Sequence, residues 1–322
     1  LNSIQVRPTI IAPEDLLGGG LAKQGFRALV LPYNKGMSQS EANAIRKFVT
    51  EGGLVIADND PATYTEHGRK LKKGRLADLF PVTDRTHLKR IGKGQAAYLP
   101  NVINGYTGRL EKEDFSGSDV VARLLREHAG QQPPVELLYP DGSPRRDVFA
   151  RVFHNGSTQL LGLLCSDTAA NQKSSQTILK LSSKHYVYDV RNQDFLGFGD
   201  SITLELDLQP RFLALLPAKL ESIEFRRVEQ PVPAGTDLAI TGTVHFNQDA
   251  GLGALSQAVH LRVLDKEGNE LEWFRQNVLF RGQTFTVHLP LSRSIAAGSY
   301  RVTAEHAFTG LETSTTFEVV NR

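Results

Sequence analysis

The segment Phe26-Arg-Ala-Leu-Val-Leu-Pro-Tyr33, followed by Ser38-Gln-Ser-Glu41 and Gly52-Gly-Leu-Val-Ile-Ala-Asp58, constrains the fold more than any other stretch. It reads as a buried strand, a capped helix, a glycine stop and a second buried strand, which together make one βαβ unit. Ser38 and Glu41 are spaced so that each side chain satisfies a free backbone N–H at the helix start. Ala42, Ile45, Phe48 and Val49 recur at helical spacing and mark the buried face. Gly52 and Gly53 supply the left-handed stop. Leu54 to Ala57 is continuously apolar, as a strand covered on both faces must be. The unit predicts a doubly wound α/β domain over residues 1–134, with any site at its strand ends.

At 322 residues the chain suits two or three domains rather than one core. An apolar fraction of 40% and a charged fraction of 22% are those of a soluble globular protein. The net charge of +2 points neither to nucleic acid nor to an acidic membrane surface. No run of apolar residues approaches the length of a membrane span. Cys165 is the only cysteine, which excludes an intrachain disulfide and a cysteine-based metal cluster. The chain starts at Leu1 and has Met37 as its sole methionine, so it is read as a fragment of a longer, processed protein.

Residues 59–85 turn polar and basic around Arg69-Lys-Leu-Lys-Lys73, which predicts a solvated insertion or, as the functional alternative, a ligand lid. A strand at Gln95-Ala-Ala-Tyr-Leu99 and a helix over residues 118–129 follow. Pro133-Pro134 marks a boundary, because neither residue donates a ladder hydrogen bond. The helical period then vanishes. Residues 148–153 and 158–164, joined by His154-Asn-Gly156, predict a β-hairpin turning at Asn-Gly. Ile202, Leu204, Leu206 and Leu208 alternate with polar residues as a half-buried strand does. A second break at Glu229-Gln-Pro-Val-Pro233 separates a small β-domain, residues 135–220, from short, regularly spaced strands over residues 221–322. Those predict an immunoglobulin-like β-sandwich without a disulfide.

No constellation in the sequence has the residue types and spacing of a catalytic centre. Cys165 ends an apolar strand and reads as a small buried hydrophobe rather than a nucleophile. No Gly-x-Ser-x-Gly elbow is present. Gly18-Gly-Gly20 and Gly92-Lys-Gly94 lack the remainder of a phosphate-binding signature and read as turns. The nine histidines form no metal-ligand pair. Asp58 and Asp60 leave the strand Leu54 to Ala57 together; they are candidate ligands for a metal or a sugar hydroxyl, or simply a polar strand exit. His185 and Asp189 sit on a strand, not on one helix face. Tyr186, Tyr188 and Trp273 are candidates for stacking on sugar rings, or ordinary edge and core aromatics. The candidate ligand-binding residues are therefore Asp58, Asp60 and Trp273, with no catalytic residue, no metal and no cofactor.

The order of the pieces carries a resemblance. Arg27-Ala-Leu-Val-Leu-Pro, Ser38, and Phe48-Val-Thr-Glu-Gly-Gly-Leu-Val-Ile-Ala57 resemble the class I glutamine amidotransferase-like, flavodoxin-like domain that follows the barrel in family 42 β-galactosidases and related glycoside hydrolases. Gly92-Lys-Gly-Gln-Ala-Ala-Tyr-Leu99 is similar to a segment near its end. Val187-Tyr-Asp-Val-Arg191, Leu196-Gly197 and Phe212-Leu-Ala-Leu-Leu216 resemble the small β-domain closing such enzymes. Gly298-Ser-Tyr-Arg-Val302 and Phe308-Thr-Gly310 resemble macroglobulin-type or invasin-type immunoglobulin-like modules. The resemblance implies a domain without amidotransferase activity that serves trimer formation, and it supplies no catalytic glutamate, because the barrel is missing. The expected role is therefore non-catalytic: assembly within a larger glycoside-hydrolase-like or cell-surface protein, extracellular or periplasmic. The expected partners are further copies, including as a trimer, or the parent's catalytic domain; carbohydrate binding at the Asp58/Asp60 strand-end crevice or the β-domain aromatics is the alternative, an active hydrolase using the Asp58–Asp60 edge ranks third, and neither nucleic acid nor membrane insertion is expected.

Overall fold

A computed structural model describes residues 2–81, 84–103, 105–165, 176–248 and 252–321. The chain divides into two compact units, residues 1–133 and residues 134–322.

The first unit begins with two short helices, α1 (Pro13–Leu17) and α2 (Gly20–Lys23), followed by strand β1 (Ala28–Leu31), helix α3 (Gln39–Glu51) and strand β2 (Leu54–Ala57). Strands β3 (His87–Ile91) and β4 (Gly94–Tyr98) and helices α4 (Tyr106–Leu110) and α5 (Ser116–Ala129) complete it. Strands β1, β2 and β4 run parallel, and β3 pairs antiparallel with the outer side of β4. The local signals act as the sequence predicts. The Glu41 N–H donates to Ser38 Oγ at 3.2 Å, and Ser38 N–H donates to Glu41 Oε2 at 2.7 Å. Gly52 ends α3 at φ 126°, where a side chain is strained. Helix α3 covers one face of the sheet with Ala42, Ile45, Phe48 and Val49. Helix α5 covers the other, with Val121, Leu124 and Leu125 over Leu54, Ile56 and Ala97.

This is not the predicted doubly wound α/β domain, whether described as amidotransferase-like or flavodoxin-like. The described residues are mostly β, with five helices, of which three have four or five residues. One βαβ crossover is present, and the described residues between β2 and β3 hold no helix. The order β1-β2-β4-β3 advances in one direction and ends on an antiparallel strand. A doubly wound sheet needs the order to reverse, since that reversal opens its ligand crevice. A locally well-specified βαβ unit thus belongs to a four-stranded sheet of another kind.

The basic segment after β2 is packed, not merely solvated. Ala62, Leu76, Leu79 and Phe80 are buried in the same core as Met37. Arg46 on α3 grips Asp78 through Nε at 2.9 Å and Nη2 at 2.8 Å, and it also reaches the Arg75 carbonyl. The Arg46 hydrogen bond holds the Asp78 carboxyl below the usual carboxylate range.

The second unit opens with β5 (Val135–Leu138), β6 (Val148–Asn155), β7 (Thr158–Cys165), β8 (Gln176–Asp189), β9 (Asp194–Glu205) and β10 (Arg211–Leu216). They form a sheet in the order β5-β8-β10-β7-β6, with β9 paired to β8. The long β8–β9 ribbon shifts register twice, which increases its twist and curls the sheet. Its inner face closes over Val148, Leu161, Leu163, Cys165, Leu179, Val187, Ile202, Leu204 and Leu213. Asp189 is buried at the ribbon's turn, where it accepts from the backbone N–H groups of Arg191 at 3.0 Å and Asn192 at 3.2 Å and pairs with Arg211. Arg145, equally buried, is neutralised by Asp147 at 3.3 Å.

Eight further strands follow: β11 (Leu220–Phe225), β12 (Val232–Pro233), β13 (Asp237–Phe246), β14 (Ser256–Leu264), β15 (Gln276–Arg281), β16 (Thr284–Pro290), β17 (Gly298–His306) and β18 (Glu312–Val320). A three-stranded sheet, β11-β13-β16, and a five-stranded sheet, β12-β18-β17-β14-β15, enclose one core. That core also takes in Tyr188, Ala214 and Leu216 from the outer face of the curled sheet. The β6–β7 turn locks the join. Its two turn residues are Gly156 and Ser157, one position later than the Asn-Gly turn predicted. Ser157 N–H donates to Ala254 O at 3.0 Å, and Thr158 Oγ1 donates to Ser256 O at 2.6 Å. A Cβ on Gly156 would lie 2.1 Å from the Ala254 oxygen, so only glycine admits this approach.

His306, at the end of β17, is fully buried. Gln257 donates its amide to Gly282 O, so its Oε1 accepts from His306 Nε2 at 3.2 Å, and His306 Nδ1 lies 3.1 Å from Thr309 Oγ1. Burial, reinforced by His260, pushes the imidazole down to about 4 from 6.5. A histidine buried neutral contributes stability that is complete above the unfolded value of 6.5 and is lost as pH falls towards about 4. The contribution amounts to about 3 kcal/mol. Urea unfolding across this range is expected to show that loss, and the His306→Gln chain a correspondingly flatter pH dependence. An unchanged slope in the variant would remove His306 as the source.

Candidate functional site

The carboxyl ends of β1, β2 and β4 are the first place to look for a site in the first unit. Five non-glycine residues there have a left-handed backbone: Tyr33, Asn59, Asp60, Ala62 and Asn101, all with φ between 51° and 58°. Asparagine and aspartate adopt this region readily, but tyrosine and alanine pay a steric penalty of about 1–2 kcal/mol. Around them stand Lys35, whose ammonium lies 4.5 Å from the Tyr33 ring centre, and Tyr98, whose hydroxyl is pushed up by burial. The Tyr33 hydrogen bond raises the Lys35 pKa, and Tyr64 and Asp60 act in the same direction.

The two aspartates at this edge part company. Asp58 is fully buried and accepts the Ile103 N–H on Oδ2 at 2.7 Å, fixing the turn after β4. Asp60 is half-buried, its carbonyl accepts from Thr63 Oγ1 at 3.1 Å, and its backbone hydrogen-bonds Tyr98. Asp58 is therefore a strand-exit anchor, and Asp60 alone of the pair faces the partly open edge. Trp273 belongs to the second unit, on a short 3-10 turn between β14 and β15, and is 74% exposed. Cys165 is buried, and burial pushes its thiol up, away from the thiolate a nucleophile needs. Among the described residues no group of three His, Cys, Asp or Glu side chains is placed to hold a metal ion, and no helix is long and apolar enough to cross a membrane.

The second unit carries two aromatic surfaces: one that the sequence does not announce, and one that adds Phe195 and Phe198 to the Tyr186 and Tyr188 named from the sequence. On the outer face of β6, β7 and β10, Phe149 stands opposite Leu164, Phe153 opposite Leu160, and Phe212 opposite Gly162. Phe149, Phe153, Leu164 and Phe212 are between 39% and 46% exposed. A Cβ on Gly162 would lie 3.6 Å from the Phe212 ring and 3.7 Å from the Phe153 ring, so both rings border the glycine in one apolar floor. The signal was present in the hairpin, where Val148 to Phe153 is apolar at both parities apart from Arg151. On the β8–β9 ribbon, Tyr186 stacks on Phe198 with centroids 4.3 Å apart and lies 6.3 Å from Phe195, which is 5.1 Å from Tyr188. Lys219 Nζ lies 5.8 Å from the Phe195 centroid, and Asn247 donates to the Tyr186 hydroxyl at 2.8 Å.

No protein-family profile matches the sequence, and no curated protein matches it. Similar solved structures include Gan42B, a GH42 β-galactosidase from G. stearothermophilus, at 13% identity and a TM-score of 0.46, covering 66% of this chain and 34% of that one. A β-galactosidase from Bacillus circulans sp. alkalophilus is 12% identical with a TM-score of 0.47, covering 66% and 36%. A cold-adapted β-galactosidase from Rahnella sp. R3 is 13% identical with a TM-score of 0.44, covering 66% and 35%. The chain thus spans about a third of the length of these structures. The likeness concerns parts of the backbone course, and no residue role passes from those enzymes to this chain.

Asp58→Ala leaves the part-buried Ile103 N–H without this acceptor and is expected to destabilise the first unit by about 1 kcal/mol. Denaturant unfolding checks this, and an alanine chain as stable as the parent would return Asp58 to the list of ligand candidates.

Proposed function

We propose that this chain is a non-catalytic assembly region of a larger glycoside-hydrolase-like or cell-surface protein. The observation that carries the proposal is the apolar floor on the outer face of β6, β7 and β10. Contiguous exposed apolar patches on folded proteins mark association surfaces. This one lies on a rigid sheet whose neighbouring rows, at Tyr188, Ala214 and Leu216, are already buried against the adjoining strands. The part left open continues a surface built for packing. Similarity to parts of β-galactosidase structures supports a parent protein of that class. Light scattering after size exclusion is expected to show a mass that rises with concentration and returns to the monomer when Phe153 and Phe212 are both changed to Asp. A monomeric mass at every concentration would count against self-association.

Carbohydrate binding stands as a second reading because of the ring row Phe198, Tyr186 and Phe195. Flat apolar faces flanked by Asn247 and Lys219 suit a pyranose ring with its hydroxyls. Titration calorimetry with oligosaccharides is expected to give heat that Phe198→Ala abolishes and Asp60→Asn does not. Heat surviving Phe198→Ala would place the sugar elsewhere, and the Asp60 edge would be next.

A further inference from the structure

We infer that the open floor of β6, β7 and β10 receives the Trp273 corner of a second copy, so that copies join head to tail. The inference rests on the assembly reading and names the surface that meets the floor.

The floor has one charge. Among the outward residues of β6, β7 and β10 that line it, Arg151 is the only ionisable one, opposite Gly162 and between Phe149 and Phe153 on its strand. No ion-pair partner of Arg151 is found among the described residues. Two floors meeting face to face would bring two arginines together in an apolar contact. A like-charge pair taken out of water is costly, so a two-fold contact of floor on floor is disfavoured. The occupant has to combine an apolar anchor with a carboxylate.

The chain carries such a surface itself. Trp273 projects from the turn between β14 and β15, while its neighbour Phe274 is buried in the core and fixes the turn. Of the four carboxylates between β14 and β15, Asp265 accepts the N–H groups of Glu267 and Asn269, Glu267 lies 3.5 Å from Lys266, Glu270 is held by Arg275 at 2.7 Å, and the exposed Glu272 stands directly before the tryptophan. An indole beside a carboxylate complements phenylalanine rings around an arginine. A contact between two different surfaces of the same chain is heterologous, and it closes into a ring or extends into a filament.

Heterologous contacts have a signature that two-fold contacts lack. Phe153→Asp removes the floor and Trp273→Asp removes the corner, and each chain alone is expected to remain monomeric. Mixed in equal amounts they are expected to give a dimer and nothing larger, because one intact floor meets one intact corner. Arg151→Glu and Glu272→Arg are each expected to weaken association roughly tenfold or more, and the double exchange to recover it. Both charge variants lie on the surface, so loss of folding does not confuse that result. Association of the parent chain, with a mixture that stays monomeric and a double exchange that recovers nothing, overturns the inference and leaves the assembly reading intact. A parent chain that is monomeric throughout overturns the inference and self-association together.

Discussion

The second unit depends on covering a sheet that is apolar on both faces. Strands β7 and β10 direct Leu161, Leu163, Leu213 and Leu215 to one side and Leu160, Ala214 and Leu216 to the other. Curling of the β8–β9 ribbon closes the first side. The second side is closed only where strands from β11 onward bring their own core against it. Burial at roughly 25 cal/mol per Å² makes such a join far stronger than the few hydrogen bonds that accompany it. Those hydrogen bonds, at Ser157 and Thr158, fix where the sheets meet; the leucine and alanine rows provide the adhesion.

Close approach of the β6–β7 turn to residues 254–256 depends on Gly156 having no side chain, and the buried polar network around His306 depends on the same set of strands staying closed. Gln257 sits in that network while its neighbours Leu255 and Val259 belong to the common core.

What the sequence made legible was local. Ser38, Glu41 and Gly52 act within one turn of the chain, and the helix they bound is where they place it. The doubly wound domain was an extrapolation from that one unit, and it failed because sheet order is set by contacts between distant segments. Leu76, Leu79 and Phe80 have helix-like spacing yet form part of an irregular segment anchored by Arg46 and Asp78, a pairing across 32 positions that no local pattern announces. The candidate site divides the same way. Asp58 and Asp60 were correctly located at a strand end, but the partner of Asp58 lies at Ile103, beyond the next strand. The exposed floor was hidden for a different reason. Alternation tells which residues share a face, and it does not tell which of two apolar faces the fold leaves uncovered.

Arg151 changes what that uncovered face means. Four bare apolar side chains would adhere to any hydrophobic surface, and an edge hairpin of this composition carries an aggregation risk. A guanidinium in their midst makes adhesion conditional, because a partner without a carboxylate must bury an unpaired charge, at a cost of several kcal/mol. Selectivity then comes from a penalty against the wrong partner as much as from attraction to the right one. Gly162 belongs to the same arrangement: it offers no side chain opposite Arg151, and the Phe153 and Phe212 rings border it. The charge, the glycine and the rings thus form one surface, and the corner proposed for it, an aromatic beside an acid, matches that chemistry.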